Sequence, residues 1–368
     1  MSGVPDRIHC WRMMQPTRKD RETGQVTPGV LERVDVPVPE LKPGEVLVEV
    51  AGCGVCHTDL GYFYGGVPTV SQPPLTLGHE IAGTVVEGDA DWIGKEVIIP
   101  AVMPCGECDM CVAGRGNRCL AQKMPGNSWG EWGGFASHIP VPARDLCVVP
   151  HRDGFDLAEL AVVADAVTTP YQAAKRAGLT AGDPVLITGI GGGVGTYMLQ
   201  VAKALGASPI VGIDIDQAKL DRALANGADH VINSRDLDPR ALKGAFKALS
   251  KENRLRKWGW KIFEVSGVAP GQRTALDLLS FCGTLVVVGY TPAKTEYMLS
   301  KLMAFDAQII GTWGCLPEYY SEVLAMVLDG RVQLKPFVQT RPMSTIADAF
   351  EEAHHEPPLQ RIVLTPDF

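Results

Sequence analysis

From residue 184 onwards, short apolar runs take turns with helix-length segments, and this alternation limits the chain more than any other feature. Strand signals fall at residues 185–188, 210–213, 230–232, 261–265, 285–288 and 308–310. Helical segments at 194–205, 217–226, 241–249 and 273–279 lie between several of them. Parallel neighbours need a long crossover, usually a helix, so the spacing predicts a doubly wound parallel sheet of α/β class. Upstream, residues 40–150 are broken by Gly and Pro and hold few helical stretches. Residues 45–50 alternate like a half-buried strand, and 81–86 and 96–99 continue the pattern, so an irregular β domain is expected there. A strand is expected at 8–13, with the rest of the first 44 residues irregular. Residues 157–164 and 171–177 are helix-like, and the chain ends with helices near 318–328 and 346–353 and a strand at 360–364.

The first of the alternating strands runs into Thr188-Gly189-Ile190-Gly191-Gly192-Gly193-Val194-Gly195, which then opens an apolar helix. At such a junction the backbone N–H groups and the positive helix end can hold a pyrophosphate. The loop is one residue longer than the strict G-x-G-x-x-G form, which leaves the individual roles of Gly189, Gly191, Gly192, Gly193, Val194 and Gly195 open. Asp214 ends the next strand, nineteen residues after Gly195. A carboxylate there accepts hydrogen bonds from ribose hydroxyls and repels the 2′-phosphate of NADP, so NAD is the expected cofactor. Lys219 is either a second ribose contact or a solvated helix lysine.

Two further constellations point to metal. Cys105-x-x-Cys108-x-x-Cys111-x7-Cys119 supplies four thiolates, which close the tetrahedral shell of Zn2+ and leave no open position, so the site is structural. The iron–sulfur run begins with the same spacing but has a three-residue last gap followed by Pro, whereas here the gap is seven, followed by Leu120. A nucleic-acid-binding zinc ribbon is disfavoured, because the lobe has few bases and no interleaved aromatic run. Earlier in the chain, Cys56 and His79 are zinc-type ligands too far apart in sequence to share a helical turn. Thr58 and Asp59 follow the thiol directly, which suggests a catalytic metal beside a proton-handling hydroxyl. The plainer alternative is a glycine-rich turn holding a buried Cys and a satisfied His.

The 368 residues suffice for two domains, and 46% hydrophobic with 21% charged residues is ordinary for a globular chain. A net charge of −8 argues against broad nucleic-acid binding. No run of 18 or more apolar residues appears, and the N-terminus lacks the layout of a signal peptide. Ten cysteines under those conditions suggest reduced thiols and metals before disulfides, and a cytoplasmic enzyme without a membrane partner.

Taken in this order, the motifs resemble those of the zinc-dependent medium-chain alcohol dehydrogenase family. The resemblance spans nearly the whole chain and includes residues 52–59, Gly78-His79-Glu80, the four-cysteine lobe, Gly133-Gly134-Phe135-Ala136 and the nucleotide loop with Asp214. It implies a GroES-like β-rich catalytic domain from residues 1–167 and 312–368, with a Rossmann NAD-binding domain at 168–311 inserted between them. It also implies NAD and two Zn2+ per chain, one catalytic and one structural. Cys56 and His79 match two catalytic-zinc ligands, and Asp165 stands where many members have a Cys. An aspartate carries the same unit charge as a thiolate, although Asp165 could instead cap the helix that follows. Glu80 matches a carboxylate close to the zinc, and Asp59 one that orients His79 from behind. Thr58 matches the hydroxyl that takes the substrate's proton. His57 matches a group near the cofactor phosphates or at the end of the relay, Arg361 a pyrophosphate partner, and Thr312 a nicotinamide contact. Within the family, the chain is most similar to dehydrogenases of cyclic hydroxyenoyl-CoA thioesters in anaerobic benzoyl-CoA degradation. That implies a CoA-thioester substrate, with Arg18, Lys19 or Arg21 at the CoA phosphates and Tyr62, Phe63 or Tyr64 around its ring. A homo-oligomer, in bacterial relatives commonly a tetramer, is expected. The alternatives are a general alcohol or polyol dehydrogenase, a metal-free alkene reductase, and a non-catalytic NAD(H)-sensing zinc protein.

Overall fold

A computed structural model describes residues 5–20 and 22–368, which fall into two compact units. One is formed by Met1–Asp165, Gly314–Leu328 and Leu334–Phe368, the other by Ala166–Trp313 and Asp329–Gln333.

The first unit is built on a seven-stranded sheet whose main path runs Cys147–Val148, Glu96–Ile99, Glu80–Glu87, Glu45–Gly54, Arg361–Thr365, Val338–Pro342. His138–Pro142 pairs with Glu45–Gly54 off that path. Only the pair Val338–Pro342 and Arg361–Thr365 is parallel. Glu45–Gly54 is buried more fully than its alternation suggests. Val46, Val48 and Val50 enter the main core with Ile81, Phe135 and Phe350, while Leu47 on the other face joins Ile8, Cys10 and Ala136. Glu49 alone within residues 46–50 is exposed. A register shift between Val50 and Gly52 interrupts the regular pairing with Glu80–Glu87 shortly before Cys56.

Three local expectations need correction. Val30–Pro37, expected as irregular, is a strand paired along its length with Arg7–Gln15, and Val34 and Val36 pack against the smaller core. Residues 57–63, where no element is expected, form the helix His57–Phe63, too short to show a period. Leu157–Ala164 is a 3-10 rather than an α-helix. Its residues are almost all buried, so packing in place of periodicity holds it.

The second unit contains a six-stranded, wholly parallel sheet in the order His230–Asn233, Ile210–Asp214, Val185–Thr188, Lys261–Glu264, Thr284–Val287, Gln308–Gly311. Chain order reverses at Val185–Thr188, so the crevice beyond that strand's C-terminal end is a ligand position. The crossover helices begin where the sequence offers caps. Asp216 accepts the Lys219 N–H to start Gln217–Ala225, and Asp238 accepts the Ala241 N–H to start Pro239–Glu252. Gly193–Ala204 is buried from Gly195 through Ala202, as a helix packed against the sheet should be. No helix among the described residues is long and apolar enough to cross a membrane.

Leu47→Ala should lower stability by about 2–5 kcal/mol, and Glu49→Ala by no more than about 0.5 kcal/mol, as read from urea titrations. Equal costs would contradict burial of the strand on both faces.

Candidate active site

Cys56 caps the helix His57–Phe63, and the third helical residue, Asp59, reaches back to accept the Cys56 N–H through Oδ2 at 3.1 Å. The other oxygen, Oδ1, accepts the Gly78 N–H at 3.0 Å and faces His79 Nδ1 at 3.2 Å. With Nδ1 donating, His79 Nε2 keeps its lone pair for a ligand. Gly78 takes a φ of +97°, and a Cβ there would lie 2.6 Å from Cys53 Sγ, so the turn before His79 requires glycine.

Nε2 of His79 is buried without a hydrogen-bond partner, 3.5 Å from Asp165 Oδ2. That same oxygen lies 3.9 Å from Cys56 Sγ. Ligand atoms of Cys56, His79, Glu80 and Asp165 all fall within 4.8 Å of one another. Ordinary Zn–S, Zn–N and Zn–O bonds at tetrahedral angles put such atoms about 3.3–3.8 Å apart, so the donors fit Zn2+. Charge agrees with geometry. Burial would depress the His79 pKa, but the charge of Asp59 and the nearby Asp165 carboxylate raise it well above the usual value. The shell favours a positive charge at its centre. Thr58 Oγ1 is 3.7 Å from Cys56 Sγ, and His57, the first residue of the helix, is exposed.

Glu80 and Arg361 form a buried ion pair. Arg361 Nε donates to Oε2 at 2.7 Å and Nη2 to Oε1 at 2.5 Å. A Cβ at residue 54 would stand 2.1 Å from Glu80 Oε2, so Gly54 makes room for the carboxylate. Burial opposes the charge on Arg361, yet Glu80 and Cys56 outweigh it and hold the guanidinium protonated. Arg361, expected at a pyrophosphate, is placed by the structure on Glu80. A fully buried carboxylate needs a close cation, and Arg361 supplies it through a two-bond fork. The three aromatic residues expected around a substrate ring are packed in different ways. Phe63 is core, edge-on to Tyr64 and Phe350. Tyr64 stacks on His354. Tyr62 is buried, and that burial pushes its hydroxyl pKa up to about 12.

The four-cysteine lobe closes on itself. Sγ of Cys108 lies 3.5 Å from Cys111 and 3.8 Å from Cys119, and Cys105 lies 3.9 Å from Cys111. A tetrahedron of Zn–S bonds has edges of about 3.8 Å, so the four sulfurs match Zn2+. Backbone N–H groups of Cys105 and Ala121 point at Cys119 Sγ, and that of Cys108 at Cys105 Sγ. The amides of Cys111 and Leu120 bring the Cys108 pKa down to about 6, favouring the thiolate. All ten cysteines are free of disulfides.

In the second unit, Asp214 lies against the glycine loop. Its Oδ2 accepts the Gly191 N–H at 2.9 Å, and Oδ1 accepts from Ile215 and Asp216. Crowding now separates the glycines. A Cβ at Gly191 would strike Lys219 Cβ at 2.3 Å, and one at Gly195 the Gly189 carbonyl at 2.0 Å. Gly192 caps the helix, with Gly193 exposed and Val194 half-buried at its open first turn. Lys219 is thus packed on the loop. Arg222 went unrecognised in the sequence although its Nη2 donates to the Gly191 carbonyl at 3.2 Å. Its only sequence signal is its place six residues after Asp216, the helix cap, which marks helix, not function. Thr312 donates its N–H to Val287 at 3.3 Å, and its hydroxyl is buried without a hydrogen-bond partner.

Cys56→Ala and His79→Ala should each cut bound zinc from two per chain to one by metal analysis and abolish turnover, and Asp165→Ala should lower both. Full zinc and activity in Asp165→Ala would remove it from the ligand set. Cys108→Ser should cost stability first, seen as a lowered Tm and loss of the other zinc.

Residues 42–151 match the alcohol dehydrogenase GroES-like domain, and residues 193–329 match the zinc-binding dehydrogenase family. An alcohol dehydrogenase from Geobacillus stearothermophilus is 33% identical over 91% of this chain and 95% of its own. A sorbitol dehydrogenase from Bombyx mori is 30% identical over 86% and 90%. Among solved structures, galactitol-1-phosphate dehydrogenase from Escherichia coli shares the fold at a TM-score of 0.83 and 22% identity, covering 97% of this chain and 100% of that one. With its two zinc-type donor sets and its glycine loop, the chain belongs to the zinc-dependent medium-chain alcohol dehydrogenase family, nicotinamide-dependent oxidoreductases acting on CH–OH donors.

Proposed function

We propose that the protein oxidises a secondary alcohol with NAD, and that the substrate is a cyclic hydroxyenoyl-CoA thioester, 6-hydroxycyclohex-1-ene-1-carbonyl-CoA, converted to its 6-oxo form. The observation that carries the alcohol chemistry is the convergence of Cys56, His79 and Asp165 next to the Thr58 hydroxyl. When bound, zinc supplies Lewis-acid polarisation of the substrate oxygen and NAD supplies the hydride acceptor. The protein's residues do the rest. Thr58 relays the substrate's hydroxyl proton, accepting it on Oγ1 while releasing its own, and exposed His57 carries the proton outward. Asp59 holds His79 in one tautomer, while Arg361 neutralises Glu80 beside it. Asp214 places negative charge at the loop where NADP would bring a 2′-phosphate, which supports NAD.

The thioester reading rests on the end-to-end resemblance of the sequence and on the placement of the basic hairpin. Arg18–Lys19 pairs with Val26–Thr27, and both strands are exposed. The hairpin is anchored to the helix that Cys56 begins. Thr17 donates its N–H to the Phe63 carbonyl at 2.7 Å and accepts the Gly29 N–H at 2.9 Å. Two flexible cations on a fixed base suit the phosphates of CoA. Arg21, expected to join them, lies outside the described residues. Cytoplasmic location and a homo-tetramer complete the proposal by family analogy. A free polyol is the second reading, supported by the sorbitol dehydrogenase relative.

A panel of hydroxyacyl-CoA esters, their free acids, polyols and simple alcohols, followed by NADH absorbance, tests both. The cyclic hydroxyenoyl-CoA ester should give the highest kcat/KM; preference for free alcohols or polyols would overturn the thioester reading. Arg18→Glu with Lys19→Glu should raise KM for the ester about five- to tenfold, as loss of roughly 1 kcal/mol of exposed charge contact implies. An unchanged KM would remove the hairpin from substrate binding.

A further inference from the structure

The second unit holds a buried carboxylate that neither the zinc motifs nor the dinucleotide fingerprint accounts for. Glu264 ends the strand Lys261–Glu264, in register with Thr188 on the neighbouring strand. These two strands flank the reversal of strand order, where α/β sheets hold their ligands. Glu264 is fully buried.

Its contacts reach the loops that follow three strands. Oε1 accepts both the N–H of Ser266, at 2.9 Å, and the Ser266 hydroxyl. The Glu264 carbonyl accepts the N–H groups of Val288 and Gly289 at 2.9 Å, just beyond Thr284–Val287. Oε2 has no hydrogen-bond partner and faces Gly289, where a Cβ would lie 3.1 Å away. Ser266 in turn abuts the glycine loop, since a Cβ at Gly189 would stand 2.7 Å from Ser266 Cα. The Gly189 carbonyl accepts the N–H of Gly192, the residue that caps the pyrophosphate-side helix. A Cβ at Gly271 would meet Ser266 Oγ at 1.9 Å, so glycines at 189, 271 and 289 together leave room for one Glu–Ser pair.

Stability does not explain this choice. A buried acid with one oxygen unpaired is costly, and burial accordingly raises the Glu264 pKa. Costs of this kind concentrate where function needs a fixed geometry.

We propose that Glu264, acting through Ser266, is a positioning residue that sets the height of the Gly189–Gly192 turn for a dinucleotide pyrophosphate. The inference rests on the nicotinamide reading above. Glu264 touches no reacting atom, so its influence falls on cofactor affinity: Kd for NADH and KM for NAD change together, while kcat at saturating NAD is kept.

The test uses the full-length, zinc-loaded enzyme. NADH affinity is measured by fluorescence titration, alongside KM, kcat, zinc content and Tm, for Glu264→Leu, Glu264→Gln and Ser266→Ala. Glu264→Leu and Ser266→Ala should weaken NADH binding about five- to tenfold, the scale of one lost hydrogen bond, with kcat within about twofold and zinc unchanged. Glu264→Gln, which keeps an acceptor oxygen for Ser266, should restore affinity to within about twofold of the parent. Unchanged NADH affinity in Ser266→Ala, or a fall in kcat without a change in affinity, would overturn the proposal. Should Glu264→Leu fail to fold, the Ser266→Ala and Glu264→Gln pair decides by itself. The nicotinamide reading fails separately, by the parent enzyme binding neither NADH nor NADPH. A parent that prefers NADPH changes the cofactor, and the same three variants are then titrated with it.

Discussion

The candidate metal centre hangs on the Asp59 carboxylate. Fully buried, it faces N–H groups from three places: the Cys56 amide, the Gly78 amide and the His79 ring. One side chain thereby fastens the start of the helix His57–Phe63 to the turn that precedes Glu80–Glu87, two segments separated by twenty residues of sequence. Three donors stabilise a buried charge that would otherwise be expelled, and the same bonds set the histidine's tautomer. Without that anion, Cys56 and His79 would belong to independent turns. With it, they are two sides of one donor cluster.

Buried charge elsewhere follows the same rule with different partners. Glu80 is matched by Arg361 through a fork, and Gly54 is the vacancy that lets its carboxylate lie flat against the neighbouring strand. In the lobe, backbone amides point at the sulfurs of Cys105 and Cys119, and the spacing of all four sulfurs fits a Zn2+ cation. Glu264 is the exception, satisfied on one oxygen only. Apolar packing makes the scaffold, but polar contacts decide which loops stay close enough to act together.

Much of this was legible in advance, for identifiable reasons. The parallel sheet announced itself because strands buried on both faces leave uninterrupted apolar runs, and their crossovers are long enough to show helical segments. The Cys lobe was legible because all four ligands sit within one short stretch, so local spacing is already three-dimensional spacing. The strand Val30–Pro37 was obscured by its charged, exposed positions, although its alternating Val34 and Val36 carried the signal. The helix at Cys56 was obscured by its seven-residue length. The pairing of Arg361 with Glu80 was not legible, because an arginine's partner is set by what lies across the sheet, and Glu80 is 281 residues away.

By itself, then, the sequence determined the class of each unit, the closed set of four thiolates, and the glycine loop with its acid at the end of the next strand. These are local patterns, and near neighbours in a chain stay neighbours in any fold. Only the tertiary structure decided that Asp165 meets Cys56 and His79, that Arg361 belongs to Glu80, and that Ser266 braces Gly189. Each of those contacts joins residues dozens to hundreds of positions apart. Their distances depend on strand register and on where a glycine leaves room, which no local pattern encodes.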